Sequence, residues 1–201
     1  MDSIRKNLVQ ILDDARKLST ATQDEIDMWR RKAQWALVDV VTPELPVGVD
    51  IQVDPEILGL YIATMQAVRN TGCPLHIADV LSKNGFGEYE PRGAIWLWSG
   101  LNYTGRVKVA IHEIAHWYMH GFYGKFFTSM PPRLYKEQAA EAVTYAVCRE
   151  LELDCYQYSV SYIAHQIKSA SRYLLRIDGL IDAASVIVTS IKTNMEAQTN
   201  E

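Results

Sequence analysis

The chain has 201 residues, of which 48% are hydrophobic and 22% charged, and its formal net charge is -4. This composition is typical of a globular protein that buries a core without disulfide bonds, and it excludes a disordered or collagen-like chain. The acidic balance also argues against a protein whose main role is to hold nucleic-acid phosphates.

The N-terminal part is predicted to be helical. Apolar residues recur at helical spacing from the start of the chain, and Thr22 followed by Glu25 resembles a capping box that begins a second helix. The second helix carries Arg30, Arg31 and Lys32 largely on its polar side, which favours a solvated helix face over a binding patch.

The middle of the chain mixes short strands with a third helix. Residues 47–53 alternate like a short strand, and Asp54 followed by Pro55 begins the helix. Residues 72–92 are rich in turn signals, and residues 93–98, with the sequence GAIWLW, are predicted to form a strand.

The C-terminal half is predicted to be mostly helical. Four helices are expected, over about residues 104–120, 133–153, 159–176 and 179–195. An aromatic loop, 121–132, separates the first two of them. We therefore predict one mostly helical α+β domain over residues 1–201, with a helical part at 1–70 and a core at 71–201.

The histidines point to a metal site. Three of the five, His112, His116 and His120, fall within nine positions, and the first two belong to a His-Glu-x-x-His motif. On a helix that spacing puts the first two imidazoles on one face, where they can hold one metal ion. Glu113 lies about 100° further round, where it can act as general base on a metal-activated water. His120 is about 12 Å from His112 along a straight helix, so we predict a helix-terminal or supporting role for it.

A zinc hydrolase site needs a third protein ligand. Glu137 and Glu141 lie one turn apart on a later predicted helix. We favour Glu137 as the ligand and Glu141 as the acceptor of a hydrogen bond from a ligand histidine, with the opposite assignment left open. Alternatively, Glu137 pairs with Arg133 and Glu141 is solvated. Cys148, on the same face, is a softer candidate ligand, although a buried thiol is the preferred interpretation. The residues together predict one Zn²⁺ ion.

Three segments that include these motifs resemble a known protein family. HEIAHW, KEQAAEAVTYAVCRELELD and YSVSYIAHQI resemble the zincin-like metallopeptidases of the ImmA/IrrE family, and still more the metallopeptidase domain of ArdC-type antirestriction proteins. The resemblance covers roughly residues 86–190 and implies a zincin-like (gluzincin) fold with extra N- and C-terminal helices. It implies that His112, His116 and Glu137 are zinc ligands and that Glu113 is the general base. Glu141 stands at the Asn/Glu position of the family pattern. Residues 1–70 do not resemble the single-stranded-DNA-binding domain of full-length ArdC proteins.

The predicted reaction is hydrolysis of a peptide bond in an intracellular protein, such as a regulatory or defence-related target. We expect an extended substrate to lie along an edge strand at residues 93–98, with Trp96 and Trp98 as side-chain contacts. A hydrogen-bond donor to the transition state is also expected, and Tyr123 and Tyr135 are the candidates.

The expected compartment is the cytoplasm. The three cysteines, Cys73, Cys148 and Cys155, form no C-x-x-C pair, which favours reduced thiols. The charged N-terminus lacks the pattern of a secretory signal. No apolar run is long enough for a bilayer span, so no membrane partner is expected. The sequence does not indicate an oligomeric state.

Three other functions compete with hydrolysis. The chain could be a zinc-containing binding protein that contacts a restriction or regulatory protein without proteolysis. It could instead be a helical domain without metal. A nucleic-acid-binding module is the third, and it would use the basic residues Arg30, Arg31, Lys32, Lys168, Arg172 and Arg176.

Overall fold

The computed structural model describes residues 1–38, 54–81, 85–90, 93–120, 133–169 and 177–200. These residues form a mostly helical α+β structure with one small sheet. Its helices are α1 (Asp2–Leu18), α2 (Gln23–Trp35), α3 (Pro55–Asn70), α4 (Tyr103–His120), α5 (Arg133–Glu150), α6 (Tyr156–Ser169) and α7 (Ile177–Gln198). Its strands are β1 (Leu75–Ala78), β2 (Gly87–Glu90) and β3 (Ala94–Trp98).

Side-chain caps fix the starts of two N-terminal helices. The predicted capping box of α2 is confirmed, because the Thr22 hydroxyl accepts from the Glu25 amide while the Glu25 carboxylate accepts from the Thr22 amide. Asp54 caps α3 by accepting a hydrogen bond from the amide of Glu56. The strand predicted at residues 47–53 lies outside the described residues.

The sheet has the order β1-β3-β2, with β1 parallel and β2 antiparallel to β3. The strand predicted at residues 93–98 is present as β3, but its predicted place at an edge is wrong. It lies between β1 and β2, both of which formed in the stretch that looked turn-rich. Among the described strands, the edges of the sheet are therefore β1 and β2.

Helix α4 runs through the middle of the fold, packed against α3, α5, α7 and the sheet. Its start is tied to the end of α2. The Asn102 Oδ1 accepts a hydrogen bond from the Gly105 amide at 2.7 Å, and its Nδ2 donates to the Ala36 carbonyl at 3.1 Å. These contacts fix the position of α4 relative to the N-terminal helices.

The N-terminal helices share their core with the rest of the chain. Helices α1 and α2 pack against α6, α1 also packs against α5, and α3 packs against α4 and α7. One hydrophobic cluster extends from Ile4 in α1 to Ile191 in α7. None of the described helices is long and apolar enough to cross a membrane.

Candidate metal centre

Helices α4 and α5 bring three ligand-type side chains together. His112 and His116 lie one turn apart on α4, and their Nε2 atoms are 3.1 Å from each other. The Oε2 atom of Glu137, from the first turns of α5, lies 3.5 Å from the His112 Nε2 and 3.6 Å from the His116 Nε2. The side chains of the three residues remain partly accessible to solvent. Together they form a cluster able to hold a metal ion.

The spacing of these atoms fits zinc. In a tetrahedral site with bonds of about 2.0–2.1 Å, neighbouring ligand atoms are about 3.3 Å apart. The three observed separations, 3.1, 3.5 and 3.6 Å, lie close to that value. Two imidazoles and one carboxylate are also a ligand set found in catalytic zinc sites, where the fourth position is left for water or substrate.

The charges of the cluster determine which of its side chains carry protons. Burial alone would lower the pKa of His112, but the carboxylates of Glu137 and Glu141 beside the ring raise it to about 10. Burial would raise the pKa of Glu137, yet His112 and His116 hold it well below its usual value. Without a metal, the cluster therefore contains an ionised carboxylate and a protonated His112, whose proton a metal ion must displace.

Glu141 lies on the far side of His112 from Glu137. It is fully buried, and its Oε2 is 2.9 Å from the His112 Nδ1, while Glu137 faces the Nε2 of the same ring. Ser159 of α6 donates a hydrogen bond to the Glu141 Oε1 at 2.6 Å. Glu141 thus lies beside the Nδ1 of His112, whereas Glu137 is the carboxylate in the cluster of three atoms that could hold a metal ion.

A buried lysine completes this support. Lys108 lies one turn before His112 on α4 and donates to the Glu141 Oε2 at 2.9 Å. Its Nζ is also 3.5 Å from the centre of the Tyr158 ring. Burial would lower the pKa of Lys108, but Glu141 raises it above its usual value, so the ammonium stays charged. Burial would raise the pKa of Glu141, but Lys108 and His112 lower it to about 2.

Glu113 faces the sheet beside the ligand histidines. It is 6% exposed, and burial raises the pKa of its carboxyl group above its usual value. Gly87 of β2 lies directly against it, because a Cβ at this position would come within 2.8 Å of the Glu113 Oε1 and collide with Val109. The carboxylate is therefore confined between α4 and the edge strand β2.

Tyr162 of α6 was not among the predicted site residues. Its hydroxyl donates to the Glu137 Oε2 at 3.0 Å, the same oxygen that faces both histidines. Its ring lies 6.0 Å from that of His112 in an edge-on arrangement. Burial and the Glu137 carboxylate raise the pKa of Tyr162, so the phenol remains a hydrogen-bond donor.

The two tryptophans predicted to contact substrate lie on the other face of the sheet. They alternate along β3 with Ile95 and Leu97, which are fully buried on the side of α4. Trp96 stacks on His76 with ring centres 4.3 Å apart, and the Trp98 Nε1 donates to the carbonyl of Asp79 at 3.1 Å. Their predicted place on an edge strand is wrong, because β3 is central, while their contact with a substrate stays a prediction.

The remaining candidates lie in several places along the chain. Tyr135 is buried and lies two residues before Glu137, a spacing that puts the two side chains on different sides of α5. Tyr123 and the loop at 121–132 lie outside the described residues. His120 is the last residue of α4, with its ring centre 5.5 Å from that of His116, and burial lowers its pKa to about 3. Cys148 is a buried free thiol.

Comparisons with known proteins give no family for this chain. No protein-family model, curated protein or solved structure matches it.

Proposed function

We propose that this protein is a zinc-dependent metallopeptidase that hydrolyses peptide bonds in an intracellular protein. The observation that carries the proposal is the spacing of the His112, His116 and Glu137 ligand atoms, at 3.1, 3.5 and 3.6 Å from one another. The same three side chains, brought together from two helices, also supply the two imidazoles and one carboxylate found in catalytic zinc sites. A single Zn²⁺ ion is the cofactor that this set would hold.

Zinc in such a site supplies a Lewis acid that activates water and polarises the scissile carbonyl group. Glu113 accepts the proton of the attacking water and returns it to the leaving amine. Its burial supports this role, because a carboxylate with a raised pKa is a better base than an exposed one. In this proposal Tyr162, whose hydroxyl lies at the cluster, donates a hydrogen bond to the developing oxyanion, the role predicted from the sequence for Tyr123 or Tyr135.

The extended substrate lies along β2 in this proposal, not along β3. Among the described strands, β2 pairs on one side only, and it borders α4 at the position of Glu113. A peptide added to its free side would receive main-chain hydrogen bonds from the strand. The scissile bond would then lie beside the general base.

Sequence resemblance and thiol state support the finer parts of the proposal. The HEIAHW and KEQAAEAV segments resemble zincin-like metallopeptidases of the ImmA/IrrE and ArdC type, and we propose a zincin-like fold on that ground. All three cysteines of the chain are buried free thiols, as expected for a reducing compartment such as the cytoplasm.

The test combines metal analysis with substitution of the general base. We expect the purified protein to contain about one zinc ion per chain and Glu113→Gln to keep that zinc while losing hydrolysis of a mixed peptide library. The exposed Glu196→Gln on α7 is the matched control and should behave as the unsubstituted protein. If Glu113→Gln, with zinc bound, cleaves the library as fast as the unsubstituted protein, the proposal is wrong.

The same variant identifies the substrate. Glu113→Gln should retain a bound protein that the unsubstituted enzyme would cleave, because binding residues are intact while proton transfer is blocked. Proteins captured by this variant from a cell extract are then incubated with the unsubstituted protein. Cleavage of a captured protein would identify it as a substrate.

A further inference from the structure

A buried cation lies next to the proposed cation site. Lys108 is 2% exposed, on the same helix as His112 and one turn before it. Lysine is almost never buried unless it is paired, because removing an ammonium group from water is costly. Here it is paired with the Glu141 carboxylate and lies over the Tyr158 ring.

Lys108 and His112 share one oxygen of Glu141. The Oε2 atom lies 2.9 Å from the Lys108 Nζ and 2.9 Å from the His112 Nδ1, while Oε1 is held by Ser159. The bond from Lys108 is well formed. The His112 Nδ1, although close, makes no aligned hydrogen bond within the described part of the chain. Lys108 and His112 therefore share one acceptor atom, and of the two it is Lys108 that bonds this atom with good geometry.

The charge balance of the cluster also depends on Lys108. Three buried or partly buried carboxylates, Glu113, Glu137 and Glu141, lie around the two histidines. With neutral imidazoles and a charged Lys108, their sum is minus two, which a divalent cation neutralises.

We propose that Lys108 is a positioning residue that weakens zinc binding by limiting the hydrogen bond from His112 to Glu141. A carboxylate that accepts a strong hydrogen bond from a ligand histidine makes that histidine more basic, so the histidine binds the metal more tightly. The same donation of charge lowers the Lewis acidity of the metal. Lys108 withdraws part of the Glu141 charge and keeps the centre electrophilic. This inference rests on the proposed zinc site.

The test is the zinc affinity of Lys108→Met, which removes the charge while keeping an unbranched side chain. By competition with a chromophoric chelator, we expect its zinc dissociation constant to be about tenfold lower than that of the unsubstituted protein. The visible absorption spectrum of bound Co²⁺ should shift as well, because the donor strength of His112 changes. The exposed Lys192→Met on α7 removes the same charge far from the cluster and should change neither quantity. An unchanged or higher dissociation constant in Lys108→Met would overturn the inference.

A second pair of variants decides the matter if Lys108→Met does not fold. Glu141→Gln and the double variant Lys108→Met/Glu141→Gln differ only at Lys108, and the double variant leaves no unpaired buried charge. Because Lys108 acts through Glu141, we expect their zinc dissociation constants to agree within about threefold. A difference above about tenfold would show that Lys108 acts independently of Glu141. Absence of zinc binding by the unsubstituted protein would instead refute the metal centre itself.

Discussion

Gly87 of β2 and Glu113 of α4 are in direct contact, with no room for a side chain between strand and helix. A Cβ built on Gly87 would lie 2.8 Å from the Glu113 Oε1 and 3.1 Å from its Cγ. This glycine therefore fixes how closely the edge strand approaches the proposed general base.

We expect Gly87→Ala to lower peptidase activity at least tenfold while zinc content stays at one ion per chain. The added methyl group would push the Glu113 carboxylate aside, and small displacements of a reacting group cost large rate factors. This prediction is tested by measuring the rate of peptide hydrolysis and the zinc content of the same sample.

Gly59→Ala is the matched control for this substitution. Among the described residues its Cβ would meet the Gln198 Oε1 at 3.6 Å, an ordinary contact, so activity should not change. Equal activity of Gly87→Ala and Gly59→Ala would show that close approach of β2 to Glu113 has no functional importance.

Tyr162→Phe should reduce kcat by about 10²-fold with little change in KM or zinc content. The lost hydroxyl is 3.0 Å from the Glu137 Oε2, on the side of the cluster where the proposed reaction would develop negative charge. Steady-state kinetics of the variant measure this.

Tyr156→Phe on the same helix serves as the comparison. Its hydroxyl bonds Asp14 and not the cluster, so kcat should be preserved. Loss of zinc from Tyr162→Phe, with kcat normal once zinc is restored, would make Tyr162 a support for Glu137 and not a donor to the transition state.

Zinc affinity should increase with pH. His112 has a pKa of about 10 in the metal-free protein, so at neutral pH zinc binding must displace its proton. Below that pKa we expect the dissociation constant to fall about tenfold per pH unit, as one proton is released for each zinc bound. Chelator competition at several pH values between about 6.5 and 8.5 measures the slope. A dissociation constant that does not change over this range would mean that His112 is neutral before zinc binds.

Asn102→Ala should lower the free energy of unfolding by about 1–2 kcal/mol, which is the usual cost of losing a helix N-cap. The Asn102 side chain both caps α4 at Gly105 and bonds the Ala36 carbonyl at the end of α2. Urea unfolding followed by circular dichroism measures the loss. A change below about 0.3 kcal/mol would show that this cap does not stabilise the fold.

Local signals in the sequence were sufficient to predict most helices and the two pairs of candidate ligands, His112 with His116 and Glu137 with Glu141. The capping box at Thr22 and the four-residue spacing of His112 and His116 depend only on neighbours within one helix. The two missed strands are short and carry little strand character, as in the GEYE sequence of β2. These two segments form strands because they pair with β3, although their amino-acid composition has low strand propensity.

The parts of the site that depend on packing between helices were harder to foresee. Tyr162 has no spacing relation to Glu137, and only the docking of α6 on α5 brings them together. Lys108 did leave a signal, because a lysine one turn before His112 interrupts an otherwise apolar helix. The sequence alone could not show that β3 is a central strand, because its two neighbours, β1 and β2, were not predicted.

The most direct test of the metal centre is zinc-edge X-ray absorption on protein loaded with one equivalent of zinc. With His112, His116 and Glu137 as ligands, we expect only nitrogen and oxygen neighbours at about 2.0–2.1 Å, including two imidazoles. The two imidazoles should be reduced to one in His116→Ala. A sulfur neighbour at about 2.3 Å, or a spectrum unchanged by His116→Ala, would contradict this assignment.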